Sequence, residues 1–176
     1  VAASAYMSCS RLYNDYDGIQ HDYTKKQGLV WQQVFLPSMA PPEWQDREKL
    51  WNAVEENEKT KDSRLAREFI VALPRELDRQ AQIELIRAFI QEQFVSDGMC
   101  ADAAIHDTDG QNPHAHILLT VRPLGLTVQR HVTTTADMSG MRVRSVLRRM
   151  AGKVVVHRVL LTRHEQAEEY VLHSAR

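Results

Sequence analysis

The stretch at residues 105–124 constrains the fold more than any other part of this 176-residue chain. It reads IHDTDGQNPHAHILLTVRPL, and the apolar run at 116–121 predicts a buried strand. The turn-forming residues at 109–113 come just before that strand and predict a reversal of the chain. Two strands joined by so short a connection must run antiparallel. The chain is therefore expected to contain an antiparallel sheet.

Three histidines lie in this same stretch, at positions 106, 114 and 116. Side chains two apart on a strand point to one face, about 7 Å apart along the chain, so His114 and His116 can aim at one point while Ala115 faces away. The tight turn can bring His106 to the same place. This geometry suits a metal ion held by three nitrogen ligands with positions left open. The alternative is a structural or merely exposed pair of histidines.

The composition is that of one ordinary globular domain, with 43% hydrophobic and 26% charged residues. The sequence contains no apolar run long enough to span a bilayer and no signal peptide at Val1, which predicts a soluble, cytoplasmic protein without a membrane partner. Cys9 and Cys100 provide no disulfide framework and are expected to be small reduced residues. Because Val1 rather than Met stands first, we expect a fragment of a longer chain.

The formal net charge of −1 argues weakly against nucleic-acid binding, but its distribution is uneven. Residues 1–123 carry 13 Lys and Arg against 19 Asp and Glu, whereas residues 124–176 carry 9 against 4. An acidic body with local basic groups can still bind DNA if those groups line one groove. Charge alone does not decide whether the chain binds nucleic acid.

The hydrophobic pattern predicts an α+β fold, a mainly antiparallel central sheet with helices packed on one face. Asp78 is the expected N-cap of a long amphipathic helix. The predicted elements are a helix at 2–11, a polar loop at 21–28, a strand at 29–36, a helix at 41–58, a strand at 66–73, a helix at 78–94, a strand at 99–105 and the strand after the histidine turn.

The residue pattern of the sequence changes after Pro123. One strand-like run at 153–161 and a short helical pattern at 165–173 are the recognisable features there. We found no amphipathic period that ties this segment to the rest. The sequence therefore predicts a main domain at 1–124 and a divergent basic tail at 125–176.

The order of short motifs along residues 1–124 resembles the MobA/MobL family of plasmid mobilisation relaxases, close to its MobQ-type branch. The matching motifs are VAASAYMS at 1–8, YDG at 16–18, HDYTKK at 21–26, APPE at 40–43, LWN at 50–52, LARE at 65–68, ALPREL at 72–77, GMCAD at 98–102 and the histidine stretch at 105–124. The resemblance implies a relaxase-like palm with a His-hydrophobe-His metal site.

The resemblance also implies a reaction. Such enzymes nick one DNA strand at a plasmid transfer origin, leave a tyrosine joined to the 5′ phosphate, and later rejoin the strand. Carried over by position, Tyr6 is the nucleophile, and His106, His114 and His116 hold Mg²⁺ or Mn²⁺. Glu68 matches an acidic position near the active site and is a candidate acceptor for the proton of Tyr6.

Each catalytic assignment has a simpler alternative. A tyrosine on a helix with apolar neighbours is most often a core residue, and Tyr13, Tyr16 and Tyr23 compete with Tyr6 for the role of nucleophile. The simplest interpretation of Glu68 is a surface charge at the end of a strand.

The expected partner is single-stranded or melted transfer-origin DNA, together with relaxosome accessory proteins. Arg11, Lys25 and Lys26 are candidates for phosphate contacts, since lysine and arginine dominate binding to the nucleic-acid backbone. Ordinary solvated charges would give the same pattern.

Two departures from the family pattern leave other functions open. The family usually has a further strand and a Gly/Ser/Arg-rich stretch before the position of Val1, so we expect the fold to be truncated there. The likeness is expected to stop at Leu124. An inactive DNA-binding remnant, a rolling-circle replication initiator and a three-histidine zinc hydrolase are the alternatives.

Overall fold

The computed structural model describes residues 1–58 and 63–121 and the backbone of 156–162. Its helices are α1 (Ala2–Met7), α2 (Arg47–Asn57) and α3 (Arg79–Ile90), with a 3₁₀ turn at Pro42–Gln45 and a π-helical turn at Gln91–Val95. Its strands are β1 (Arg11–Asn14), β2 (Ile19–Asp22), β3 (Leu29–Phe35), β4 (Arg64–Ala72), β5 (Ala101–His106), β6 (His114–Thr120) and β7 (Val156–Thr162).

Five of these strands form one antiparallel sheet in the order β3-β5-β6-β4-β7. The histidine stretch is the β5–β6 hairpin at the middle of this sheet, as the turn-forming residues predict. The first two strands, β1 and β2, form a separate antiparallel hairpin. The predicted α+β class with a mainly antiparallel sheet is confirmed.

Helices cover both faces of the sheet, so the expectation that they lie on one face is wrong. The side chains of α3 pack with Ala103, Ile105 and Ile117 in one core. The side chains of α1 and α2 pack with Ala104 and Leu118 in a second core. Alternate residues of β5 and β6 therefore face different cores. Since every residue of β5 is buried, an apolar layer on each side is required.

The longest described helix is α3, and it begins where the sequence predicts. The side chain of Asp78 accepts a hydrogen bond from the backbone N–H of Ala81 at 2.8 Å and caps the helix. The chain leaves the following π-helical turn at Gly98, whose φ of +85° favours glycine. Within the described part of the chain, no helix is long and apolar enough to cross a membrane.

The first thirty residues differ from the prediction. The helix expected at 2–11 ends at Met7, because Cys9 adopts a left-handed φ of +50° that stops a helix. Arg11 then begins β1. The loop expected at 21–28 starts as β2, which pairs with β1 through Leu12↔His21. Cys9 and Cys100 are both unpaired, as expected.

The predicted helix at 41–58 is present in two pieces. The 3₁₀ turn at Pro42–Gln45 comes first, and Asp46 then caps α2 by accepting a hydrogen bond from the N–H of Glu48 at 2.9 Å. A second short-range cap restarts the helix, which a pattern of apolar residues alone does not reveal.

The strand-like run predicted at 153–161 corresponds to β7, which pairs with β4 over Val71↔Val156 to Arg64↔Thr162. At least this part of the segment after Leu124 is joined to the central sheet. The helix predicted at 165–173 lies outside the described residues, and the boundary between residues 124 and 125 stays a prediction.

Candidate functional site

The three histidines meet on one face of the β5–β6 hairpin. His106 at the end of β5 pairs directly with His114 at the start of β6, and His116 pairs with Ala104. The ring centroids lie 5.1 Å apart for His106 and His116, 5.2 Å for His114 and His116, and 5.8 Å for His106 and His114. One ligand nitrogen of each ring lies within 4.8 Å of the others. The convergence predicted from the spacing is confirmed.

Hydrogen bonds behind the rings assign the donor nitrogens of His114 and His116. Nδ1 of His114 lies 2.8 Å from the carbonyl oxygen of Asn112, and Nδ1 of His116 lies 2.8 Å from Oε1 of Glu68. Both partners only accept, so each Nδ1 carries the proton and donates it. The lone pair of each neutral ring is then on Nε2. Such bonds to the second nitrogen are typical of metal-binding histidines.

His106 has the opposite arrangement. Its Nε2 lies against the backbone carbonyl oxygen of Met7, which accepts a hydrogen bond, so Nε2 carries the proton. The lone pair is therefore on Nδ1, which lies 3.1 Å from Nζ of Lys26. The donor atoms for a metal ion would be Nδ1 of His106 and Nε2 of the other two histidines.

Two of the three histidines favour the neutral imidazole. Burial, together with the positive charge of Lys26, lowers the pKa of His106 to about 3. Burial also lowers the pKa of His114. A metal ion binds only the neutral ring, so these shifts keep the ligands ready at neutral pH. The chemistry of the three donors fits a divalent metal ion.

Glu68 belongs to the same site. It is only 2% exposed in the middle of β4, and its Oε1 accepts the hydrogen bond from His116. The alternative of a surface charge at a strand end is therefore wrong. A buried carboxylate behind a ligand histidine fixes the orientation of the ring and raises its basicity.

Tyr6 lies beside the histidines on α1. The ammonium of Lys26 is 3.9 Å from the centroid of the Tyr6 ring and also donates to the backbone oxygen of Tyr6 at 3.3 Å. The ring of Tyr23 meets the ring of Tyr6 edge to face, with centroids 5.2 Å apart. Because Lys26 also contacts His106, the structure brings Tyr6 and the histidine cluster together.

A buried carboxylate that sequence reasoning missed ties α1 to β5. Asp102 is fully buried and accepts hydrogen bonds from the hydroxyl of Ser4 at 2.6 Å and from Nε1 of Trp51 at 3.1 Å. Arg47 forms an ion pair with it at 3.2 Å. Ser4 is two residues before Tyr6, and Asp102 is four residues before His106. The signal in the sequence was an aspartate in a strand whose other residues, apart from His106, are apolar.

The other candidates from the sequence differ in exposure and partners. Tyr13 and Tyr16 are exposed on the β1–β2 hairpin. Arg11 is exposed and pairs with Asp22 at 2.8 Å. Lys25 is exposed, whereas its neighbour Lys26 is half-buried within the site.

The fold and the site together define a class: an α+β protein with a candidate three-histidine metal centre on its central hairpin and a tyrosine beside it. The sequence model of the MobA/MobL family matches residues 1–173, and the chain belongs to this family. The match continues past Leu124, so the expectation that the likeness stops there is wrong.

Two relatives, one named for conjugal transfer and one for mobilization, support the assignment to the MobA/MobL family. The chain is 40% identical over 135 residues to the conjugal transfer protein TraA of Agrobacterium fabrum, covering 70% of this chain and 12% of that protein. It is 36% identical over 124 residues to the probable mobilization protein MobA of Bifidobacterium longum, covering 70% of this chain and 22% of that protein. The chain thus spans a small part of the length of these relatives.

A solved structure shares the fold. Its title is "Molecular Basis of Vancomycin Resistance Transfer in Staphylococcus aureus", and it matches with a TM-score of 0.74 and 33% sequence identity. The superposition covers 85% of this chain and 80% of that one.

Proposed function

We propose that this chain is the nicking domain of a relaxase for conjugative plasmid mobilisation. It cleaves one DNA strand at a transfer origin by attack of Tyr6 on the scissile phosphate. The observation that carries the proposal is that the ammonium of Lys26 contacts both Tyr6 and His106, one of three histidines whose ligand nitrogens lie within 4.8 Å of one another. The family of the chain and the names of its relatives support a role in conjugal mobilisation.

The chemistry demands an activated phenol. A tyrosine has a pKa of about 10, so ionising it at neutral pH costs about 4 kcal/mol. We propose that the carboxylate of Glu68 takes the phenol proton. The oxygen of Tyr6 then forms a bond to phosphorus, and the bond from phosphorus to the 3′ oxygen breaks. The 3′ oxygen leaves as a hydroxyl, taking its proton from water, and the 5′ phosphate stays on Tyr6.

The histidines would hold the cofactor of this reaction, Mg²⁺ or Mn²⁺. Bound there, the ion supplies Lewis-acid polarisation of the phosphate, which lowers the barrier by several kcal/mol. Three neutral ligands would leave the 2+ charge of the ion uncancelled. Imidazole is a poor partner for Mg²⁺ and a better one for transition metals, so we expect tighter binding of Mn²⁺.

The proposed substrate is single-stranded or melted origin DNA, encountered in the cytoplasm together with relaxosome accessory proteins. Lys25 and Arg11 are exposed, and we propose that they contact phosphates of the bound strand. Arg11 would exchange its pairing with Asp22 for a phosphate.

Replacing Tyr6 with phenylalanine tests the nucleophile. We expect Tyr6→Phe to abolish the covalent DNA adduct in a denaturing gel while Mn²⁺ binding, measured by calorimetry, is unchanged. Tyr13→Phe, on the exposed hairpin, is the matched control and should keep the adduct. An adduct that persists in Tyr6→Phe would overturn the assignment.

The same preparation separates the alternatives. DNA binding without any metal-dependent nick would indicate an inactive DNA-binding remnant. Nicking of replication origins but not of transfer origins would indicate a rolling-circle initiator.

Glu68→Gln tests the carboxylate. The amide can still accept from His116 but takes no proton, so we expect adduct formation to slow by about 10²-fold or more. Metal affinity should fall less, by about 10-fold, because the hydrogen bond behind His116 remains. Normal adduct rates in this variant would exclude Glu68 as the proton acceptor.

A further inference from the structure

The ammonium group of Lys26 contacts both Tyr6 and His106. Its Nζ lies 3.1 Å from Nδ1 of His106, 3.3 Å from the backbone oxygen of Tyr6 and 3.9 Å from the centroid of the Tyr6 ring. The backbone N–H of Lys26 donates to the carbonyl of Tyr23 at 2.9 Å, and the N–H of Tyr23 donates to the carbonyl of Ser10 at 3.0 Å. The lysine is thus held in a turn that is hydrogen-bonded to the segment just after α1.

The contact with His106 involves a particular lone pair. An ammonium group donates hydrogen bonds and accepts none, so Nδ1 of His106 must be the acceptor. Nε2 of the same ring is directed at the carbonyl of Met7. A metal ion bound by His106 would therefore use the lone pair on Nδ1, which is the one that Lys26 contacts.

We propose that Lys26, from its place between Tyr6 and His106, competes with a divalent metal ion for Nδ1 of His106. This inference rests on the three-histidine metal site of the proposed function. It assigns Lys26 a role beyond a general phosphate contact, and its site of action is the metal ligand itself.

Electrostatic repulsion predicts how the ammonium of Lys26 affects the affinity for a metal ion. A compact ammonium beside a divalent ion is repelled by it, and a half-buried pair of charges is screened less than an exposed pair. Metal binding must therefore move Nζ away from Nδ1, which breaks a charged hydrogen bond. Removing the ammonium while keeping its apolar stem should make metal binding easier.

Calorimetric titration of the full chain with Mn²⁺, without DNA and after dialysis against EDTA, tests this. We expect Lys26→Met to bind Mn²⁺ about tenfold more tightly than the unaltered chain, because one charged hydrogen bond and one repulsion are removed. The matched control is Lys25→Met, which removes the same charge from the exposed neighbouring residue. It should change the affinity by less than about twofold, because solvent and salt screen that charge.

A merely structural role gives the opposite sign, since a disturbed site binds metal more weakly. Lys26→Gln provides a second uncharged variant, and Lys26→Arg, which keeps the charge, should bind with nearly unaltered affinity. Equal or weaker binding in both uncharged variants, with circular dichroism melts like that of the unaltered chain, would overturn the proposal. So would an equal gain in Lys25→Met. If the unaltered chain and all lysine variants bind no Mn²⁺, the three-histidine site itself is wrong.

Discussion

Two antiparallel hairpins of the molecule, β5–β6 and β1–β2, differ in their burial and in the side chains that they carry. In the β5–β6 hairpin, every residue of β5 is buried, and six of the seven residues of β6 are buried. In the β1–β2 hairpin, β1 alternates between exposed and buried, and β2 has no buried residue. The first hairpin carries the histidines, whereas the second carries the exposed Tyr13, Tyr16 and Ile19.

The difference comes from their neighbours. β5 and β6 are flanked by β3 and β4 and covered by helices on both faces. Among the described residues, β1 and β2 pair only with each other. A site that must hold three nitrogens in position benefits from a strand pair that cannot move, since its side chains are fixed by packing on both sides.

Truncating one isoleucine in each hairpin should give the largest difference in stability between the two hairpins. Ile105 on β5 is fully buried, whereas Ile19 on β2 is 51% exposed. We expect Ile105→Ala to lower the free energy of unfolding by about 2–5 kcal/mol, through lost burial and a cavity. Ile19→Ala should change it by about 0.5 kcal/mol or less. Urea unfolding measures both, and similar losses in the two variants would contradict the contrast.

Histidines provide the second pair of variants. His116→Gln should weaken Mn²⁺ binding by at least about 100-fold, since losing only a supporting hydrogen bond already costs about 10–100-fold. His21, half-buried on β2, is the control, and His21→Gln should leave Mn²⁺ affinity unchanged. Calorimetry makes the comparison. Comparable losses in both variants would show that the metal binds elsewhere.

The two hairpins should also respond to acid in different pH ranges. Burial lowers the pKa of His106 from an ordinary 6.5 to about 3. As the pH falls below 6.5, the unfolded chain takes up a proton there and the folded chain does not, so stability is lost between pH 6.5 and 3. In EDTA, the unaltered chain should lose more stability between pH 7 and 5 than His106→Gln does. Parallel losses in urea unfolding would exclude this contribution of His106.

The smallest effect is expected from Asp22 on β2. Hydrogen bonds from the hydroxyl and the backbone N–H of Thr24, with a contribution from Arg11, lower the pKa of Asp22 from 3.8 to about 2. Its contribution to stability is present above pH 3.8 and is lost as the pH falls through 2. Because Asp22 is exposed, solvent screening keeps that contribution small. Asp22→Asn should therefore unfold like the unaltered chain at pH 7 and 5, and a clear loss at either pH would argue for a larger structural role.

Local signals predicted most of the sheet. The apolar runs, the turn-forming residues at 109–113 and the cap at Asp78 gave the elements from β3 to β6 nearly in their places, because each of these signals acts within a few residues. The convergence of His114 and His116 followed from the two-residue period of a strand. The burial of β5 on both faces could also have been predicted, since its sequence does not alternate between apolar and polar residues.

Long-range contacts were not predictable from the same signals. Lys26 looks like its exposed neighbour Lys25 in the sequence, and only the turn at Tyr23 brings it to His106, eighty residues further along. Asp102 shows as an isolated acid in a strand, but nothing in the pattern names Ser4 and Trp51 as its partners. The left-handed residue Cys9 ended α1 where side-chain periodicity favours a longer helix.

The pairing of β7 with β4 has a consequence for the order in which the protein folds. About 85–98 residues separate the paired positions of these strands, against about 8–18 for β5 and β6, and distant pairs are slow to form. The histidine hairpin can therefore form early. Glu68 lies on β4, opposite Val159 of β7. The three histidines can thus be in place before the strand that carries Glu68 gains its outer neighbour, and we expect this outer edge of the sheet to form last.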